Sequence, residues 1–133
     1  MKRQIPDADR LPSMTQNELD ELIELHAMYD RGQVGGRRAV VQYADLSKLD
    51  FKKANMAQAD FTGCQFRDTN MAHCVFTGVS FFACDMRHAD MSNTDFSRAD
   101  LRGAYVAGAN LTGANLSQVD LREGLWLKFQ ETG

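Results

Sequence analysis

The sequence contains no proline after Pro12, and its longest apolar run is only a handful of residues. A membrane-spanning helix needs about twenty consecutive apolar residues, so the sequence predicts no membrane segment. The first residues are polar and charged, which does not fit a secretory signal peptide. The formal net charge is only −3, so no field of one sign favours nucleic acid or a membrane surface. These absences predict one small soluble domain without membrane or direct nucleic-acid partners.

Motifs for catalysis and for cofactor binding are also missing. The sequence has no Gly-rich phosphate loop, no Ser-His-Asp set and no His/Cys cluster with the spacing of a metal site. Aspartates are abundant, but they fall at one position of a five-residue repeat. The sequence therefore predicts a protein that is not an enzyme and that needs neither a cofactor nor a metal.

A large apolar residue recurs at every fifth position, sixteen times without a break. An α-helix repeats apolar positions every 3.6 residues and a half-buried strand every 2, so the structural unit itself must be five residues long. The sixteen positions are Leu46, Phe51, Met56, Phe61, Phe66, Met71, Phe76, Phe81, Met86, Met91, Phe96, Leu101, Val106, Leu111, Leu116 and Leu121. A sustained period of this kind predicts an all-β solenoid.

The other positions of the unit are equally regular. The residue two places before the large apolar one is small in every unit except that of Leu49, so two side chains of every five should point inward. The residue between them is usually Asp or Asn, which suits an outward position where the side chain hydrogen-bonds nearby backbone. These residues are Asp45, Asp50, Asn55, Asp60, Asn70, Asp85, Asp90, Asp95, Asp100, Asn110, Asn115 and Asp120.

Residues 99–103 (Ala-Asp-Leu-Arg-Gly), 109–113 (Ala-Asn-Leu-Thr-Gly) and 114–118 (Ala-Asn-Leu-Ser-Gln) resemble units of the pentapeptide-repeat family. The resemblance covers residues 44–123. It implies a right-handed quadrilateral β-helix with four units per coil, hence about four coils, in a bacterial cytoplasmic protein. Residues twenty apart would then stack in four walls. Their inward residues are Leu46, Phe66, Met86 and Val106 in the first wall, Phe51, Met71, Met91 and Leu111 in the second, Met56, Phe76, Phe96 and Leu116 in the third, and Phe61, Phe81, Leu101 and Leu121 in the fourth.

Residues before the array carry the signals of a helix N-terminus. Thr15 and Glu18 form a capping box, and Met14 and Leu19 match the hydrophobic staple around it. They predict a helix from about Gln16 to Gly32, which we expect to cap the first coil; a partner-binding helix is the alternative. The predicted organisation is a flexible segment 1–14, a capping helix and lead-in strand 15–43, the β-helix 44–123 and a C-terminal tail 124–133.

The tail places four large apolar residues within five positions. These are Leu125, Trp126, Leu127 and Phe129. Some of them should seal the last coil, because an open end exposes apolar side chains and unpaired backbone. Four exceed what one small end needs, and members of the family often dimerise here, so we predict a homodimer through the C-terminal end. A tail that folds back as a plain cap is the alternative.

Three cysteines, Cys64, Cys74 and Cys84, all occupy the small inward position. Cys64 and Cys84 should stack one coil apart, at a Cα separation that a disulfide accepts, but with parallel Cβ directions. In a reducing cytosol we expect all three to be buried free thiols. The nearby His73 and His88 should point outward, so no zinc site is predicted.

Outward residues identify candidate contact surfaces. The third wall is flat and nearly uncharged and contains Val75, which favours a protein contact there. Phe82 is an outward aromatic in a polar row of the fourth wall; it either packs under the N-terminal segment or contacts a partner. Tyr105 lies in the first wall among charged residues.

The leading functional prediction is a non-catalytic scaffold or adaptor that binds a protein of unknown identity. Two alternatives stay open. The family resemblance raises a DNA mimic that binds DNA gyrase, although residues 44–123 carry ten acidic and eight basic residues, a nearly balanced surface. End-to-end assembly into a structural protein is the other.

Overall fold

A computed structural model describes residues 11–122 of the chain. Its β structure consists of isolated parallel bridges, which join residues twenty positions apart except for the bridge between Ser13 and Asp45. The bridges form four columns: Asp45, Gln65, Asp85 and Tyr105; Asp50, Asn70, Asp90 and Asn110; Asn55, Val75, Asp95 and Asn115; and Val40, Asp60, Ser80, Asp100 and Asp120. These columns are the first, second, third and fourth walls in that order. The structure therefore shows the expected twenty-residue coil.

Each coil turns at a corner residue two places after the large apolar one, where φ is positive. The preceding Asp or Asn braces the turn by accepting a hydrogen bond from the backbone N–H two residues later. All twelve predicted Asp and Asn residues make this bond, at 2.8–3.2 Å. The outward position predicted for these side chains is confirmed, and its cause is local backbone chemistry.

Two corner glycines provide a matched test of crowding between coils. Gly63 and Gly103 have φ of +72° and +70°, but a Cβ on Gly63 would collide with the ring of Tyr43 one coil below, whereas the nearest atom to a Cβ on Gly103 lies 3.8 Å away. We expect Gly63→Ala to lower the thermal unfolding midpoint more than Gly103→Ala, which carries only the cost of positive φ, about 1–2 kcal/mol. Adding Tyr43→Ala to the Gly63→Ala variant should remove the part of the loss in unfolding midpoint that exceeds the loss in Gly103→Ala. Equal losses in the two single variants would contradict the collision.

Six phenylalanines fill the middle of the column. All are fully buried and linked by ring contacts of 5.1–6.0 Å between centroids; they are Phe51, Phe61, Phe66, Phe76, Phe81 and Phe96. Towards the last coil the inward residues are aliphatic and less covered, with Leu116 and Leu121 exposed to 44% and 47%. The inward side chains are therefore fully buried through the first coils, and their burial falls towards the last coil.

The residues predicted as a lead-in strand form one more unit in the register of the repeat. Val41 lies five residues before Leu46; its N–H donates to Asp60 O at 2.8 Å, while Asp60 N–H donates to Ala39 O at 2.9 Å. This is the hydrogen-bond pattern of every later coil. Ala39 is fully buried in the small inward position, so the unit 39–43 completes the fourth wall at its N-terminal edge.

Helix α1 spans Gln16–Asp30 and begins where the sequence predicts. The Thr15 hydroxyl accepts from Glu18 N–H at 3.1 Å and the Glu18 carboxylate accepts from Thr15 N–H at 2.8 Å, which is the predicted capping box. The helix ends two residues before the predicted Gly32. Its Leu19 is fully buried against the core of the column, so α1 is packed on the first coil.

Residues from the N-terminal region hydrogen-bond the first-coil edges of the walls. At the first wall, Asp45 N–H donates to Pro12 O at 2.8 Å and Met14 N–H donates to Asp45 O at 2.9 Å. Pro12 and Met14, which the sequence placed in the N-terminal segment, thus belong to the folded unit. At the second wall the Gln16 carboxamide accepts from Asp50 N–H at 2.9 Å and donates to Asp50 O at 2.8 Å.

His26 bridges the edges of the third and the fourth wall. Its Nδ1 accepts from Ala39 N–H at 2.9 Å, so Nε2 carries the proton and donates to Ala57 O, also at 2.9 Å. The side chain is fully buried. The Gln16 and His26 side chains therefore occupy hydrogen-bonding positions that a further coil would otherwise fill.

Candidate interaction surfaces

Phe82 lies on the fourth wall, where an arginine from the next coil covers its ring. The Arg102 guanidinium lies 5.0 Å from the ring centroid and also donates two hydrogen bonds, each 2.9 Å long, to the Asp100 carboxylate. The side chain of Phe82 is half-buried. The outward aromatic is thus held in a lattice of cation–π and ionic contacts between coils.

Tyr105 is covered in a similar way on the first wall. Arg87 lies 5.7 Å from the Tyr105 ring centroid and donates two hydrogen bonds to Asp85, at 2.9 and 2.7 Å. Tyr105 stacks directly above Asp85 in the bridge column. Phe82 and Tyr105 therefore lie on adjacent walls, on either side of the corner between the fourth and the first.

The third wall differs from the others in its charge. Its outward residues are Asn55, Val75, Asp95, Asn115, Ala57, Thr77, Ser97 and Ser117, of which only Asp95 is charged. The corresponding positions carry four charges on the first wall, three on the second and five on the fourth. Hydrogen bonds from the Ser97 backbone and hydroxyl lower the pKa of Asp95, so it stays ionised. Val75 is half-buried in this wall, away from Phe82 and Tyr105.

The last coil contains an apolar cavity. It is lined by Met86, Met91, Phe96, Leu101, Val106, Leu111, Leu116, Val119 and Leu121. The four predicted interface residues that follow, Leu125, Trp126, Leu127 and Phe129, lie outside the described residues. The cavity places apolar surface at the end of the column that the sequence associates with the dimer.

All three cysteines are buried free thiols, as predicted. Burial raises the pKa of Cys64 to about 11 and that of Cys74 to about 12, and it raises the pKa of Cys84 as well. The Cys64 and Cys84 thiols donate to the carbonyls of Val41 and Phe61, at 3.1 and 3.0 Å. Protonated, hydrogen-bonded thiols are poor nucleophiles, so the cysteines act as small core residues.

The raised pKa values predict a loss of stability in alkali. An unfolded thiol ionises above about pH 9, while the Cys74 thiol in the folded state stays protonated to about pH 12, so the unfolded state binds fewer protons over this range. The free energy of unfolding should fall by up to about 1.4 kcal/mol per pH unit above 9 through Cys74 alone. Urea titrations of the wild type and Cys74→Ala from pH 8 to 10.5 measure this term. A difference between them that does not change with pH would contradict it.

Within residues 11–122, no helix is long and apolar enough to cross a membrane. In the same part of the chain no three His, Cys, Asp or Glu side chains lie close enough together to hold a metal ion.

Comparison with known proteins identifies the fold. The chain is similar to alr5209, a pentapeptide repeat protein from Nostoc PCC 7120, with 23% identity, a TM-score of 0.60, and coverage of 89% of this chain and 98% of that one. It is also similar to the pentapeptide repeat protein Rfr23 from the cyanobacterium Cyanothece 51142, with 18% identity, a TM-score of 0.37 and coverage of 65% and 63%. HetL, a pentapeptide repeat protein involved in heterocyst differentiation regulation in Nostoc PCC 7120, matches with 22% identity, a TM-score of 0.45 and coverage of 63% and 45%. The chain thus spans less than two thirds of Rfr23 and HetL.

No curated protein matches the sequence. The family model for the pentapeptide repeat region matches residues 54–130, more than half of the chain. Together with the five-residue period and the four bridge columns, this match shows that the chain belongs to the pentapeptide-repeat family.

Proposed function

We propose that this protein is a non-catalytic scaffold or adaptor that binds a partner protein in the cytoplasm. Its framework is the right-handed quadrilateral β-helix of the family, with α1 as the N-terminal cap. The observation that carries the proposal is the third wall, whose eight outward residues include one charge. A flat, mostly neutral polar face loses less free energy to desolvation on binding than the three charged walls.

A matched pair of variants tests the role of the third wall. Ser97→Arg adds a bulky charge to it, and Ser92→Arg makes the same change in the same repeat position of the second wall. Ser92→Arg reproduces the Asp-Met-Arg sequence that the fold already accepts at Arg87, and Ser97→Arg gives Asp-Phe-Arg, which differs from it only in the inward residue. Each variant should therefore fold normally.

The measurement is a crosslinked affinity capture of the tagged protein from its native cell extract, quantified by mass spectrometry. We expect one dominant partner whose recovery falls at least tenfold with Ser97→Arg and stays unchanged with Ser92→Arg. Gyrase subunits as that partner would favour DNA mimicry instead. Recovery of the bait alone would overturn the adaptor proposal in favour of self-assembly.

We further propose that the protein forms a homodimer through its C-terminal end. The exposed Leu116 and Leu121 and the apolar cavity beside them lie at this end, immediately before the apolar tail. Trp126→Ala should convert the dimer to a monomer, because large aromatic residues dominate such interfaces. An unchanged mass in multi-angle light scattering would contradict this proposal.

A further inference from the structure

The N-terminal edge of the fourth wall has unpaired backbone groups at its central residue, Val40. Residues 12–14 and Gln16 pair with Asp45 and Asp50, the central residues of the first-wall and second-wall edges. On the third wall His26 bonds Ala57 O, while the N–H and C=O of Asn55 have no partner among residues 11–122; α1 lies beneath that edge. On the fourth wall the edge is the unit 39–43, in which Ala39 N–H donates to His26 Nδ1 but neither the N–H nor the C=O of Val40 has a hydrogen-bond partner among residues 11–122. An unpaired strand edge is a template on which another extended chain can pair.

The geometry around this edge limits what can pair with it. Ser13 pairs one full strand spacing before Asp45, whereas Val40 lies only a quarter of a coil before it, so the fourth-wall edge is recessed beside residues 12–14 by less than the strand spacing of roughly 4.8 Å. On the other side, α1 lies beneath the second and third walls, and Arg37 N–H is bonded to Leu25 O at 3.0 Å near its C-terminal end. The recess between them admits one extended segment more easily than a second column.

Charge and exposed side chains indicate the chemistry of that segment. Residues 31–43 contain Arg31, Arg37 and Arg38, all exposed, and no acidic residue. Val40 and Tyr43 are exposed to 51% and 53%, so apolar contacts are available along the same edge. An acidic segment with interspersed apolar residues complements both features.

Two other occupants fit less well. A second copy would bring the same three arginines against this edge. The segment 1–10 of the same chain carries three basic and two acidic residues and includes Pro6, which has no N–H to donate. Continuing the register of Ser13, which pairs with Asp45, would place Asp9 at the large inward position of the repeat.

We propose that the edge of residues 39–43 is a β-augmentation site for an extended acidic segment of a partner protein. The inference rests on the adaptor function proposed above, and it names a different surface from the third wall. Backbone hydrogen bonds to Val40 would supply the pairing, and the three arginines would select for negative charge.

Val40→Pro is the decisive variant. It removes an N–H that makes no bond within the described structure, and proline is tolerated at such an edge. Val40→Thr keeps the N–H and the branched Cβ, so it is the matched control. Thermal unfolding of both variants should resemble that of the wild type, which separates loss of binding from loss of folding.

The probe is a capped heptapeptide, Ac-EVEVEVE-NH2, titrated into the full-length ¹⁵N-labelled protein. We expect fast exchange of the Val40 amide in the free protein, slower exchange with the probe, and binding at least tenfold weaker with Val40→Pro but unchanged with Val40→Thr. The lysine analogue Ac-KVKVKVK-NH2 should bind at least tenfold more weakly than the glutamate peptide.

Each contrary outcome overturns the proposal in a distinct way. A Val40 amide protected in the free protein at every concentration would assign the edge to this chain's own segment 1–10, and protection that grows with concentration would assign it to a second copy. If Val40→Pro bound the glutamate peptide as tightly as the wild type, backbone pairing at Val40 would be excluded. If the lysine peptide bound as tightly as the glutamate peptide, selection for negative charge would be excluded. The two proposals can also fail separately. If Ser97→Arg abolishes capture of the partner while Val40→Pro leaves binding of the probe peptide intact, the β-augmentation site is refuted but the adaptor function stands.

Discussion

Replacing Phe81 by alanine is expected to lower the free energy of unfolding by about 3–5 kcal/mol. The Phe81 ring contacts those of Phe61, Phe66, Phe76 and Phe96 at centroid distances of 5.1–6.0 Å, and it has no exposed surface. Deleting it leaves a cavity in a fully buried part of the column. Since small domains have total stabilities of about 5–15 kcal/mol, this single change removes a large share.

Urea denaturation followed by circular dichroism measures the effect. Leu121→Ala is the matched control, because Leu121 occupies the same wall two coils later and is 47% exposed. The control should cost about 1 kcal/mol or less, since little apolar area returns to water. Equal losses at the two positions would show that the middle of the column is no better packed than its end.

Replacing His26 by leucine is expected to cost about 2–4 kcal/mol. Leucine fills much of the same space but leaves Ala39 N–H and Ala57 C=O without their partner, and each buried unpaired group costs about 1–3 kcal/mol. Gln16→Leu removes a similar pair of bonds from Asp50. Its cost should be smaller, because Asp50 is exposed and water can replace the carboxamide.

His26→Gln provides the control for hydrogen-bonding capacity. A carboxamide both donates and accepts, as the Gln16 side chain does at the second wall, so this variant should recover part of the loss. Unfolding in urea, monitored through the helical signal of α1, compares the three variants. A His26→Leu protein as stable as the wild type would show that α1 is held by apolar packing alone.

The periodic part of the molecule was predictable because its cause is local. A five-residue period leaves no helix or simple strand as an alternative, and each outward Asp or Asn braces the turn that follows it within its own unit. The start of α1 was predictable for the same reason, since the Thr15 and Glu18 bonds join residues three apart. The inward cysteines followed directly from the register.

Other features depend on contacts between distant residues. The bonds of His26 were not predictable, because nothing near it in sequence indicates that it meets Ala39 and Ala57. The unit 39–43 was missed as a repeat because Val40 stands where most units have Asp or Asn, although the five-residue spacing to Val41 was available as a signal. Phe82 and Tyr105 were identified as outward aromatics, but the arginines that cover them, Arg102 and Arg87, lie in neighbouring coils about twenty residues away.

The twenty-residue spacing of the bridge columns sets a rule for how this molecule could gain or lose length. Insertion of five residues would keep every apolar side chain inward, yet it would turn all later residues by one wall. An insertion between Phe82 and Arg102 would move the arginine off the Phe82 ring. An insertion between Tyr43 and Gly63 would likewise separate that pair. Insertions or deletions of five residues therefore preserve the apolar interior, but only changes of twenty residues preserve the arrangement of side chains on the outer surface. During evolution, a protein of this kind that keeps a binding face must gain or lose whole coils.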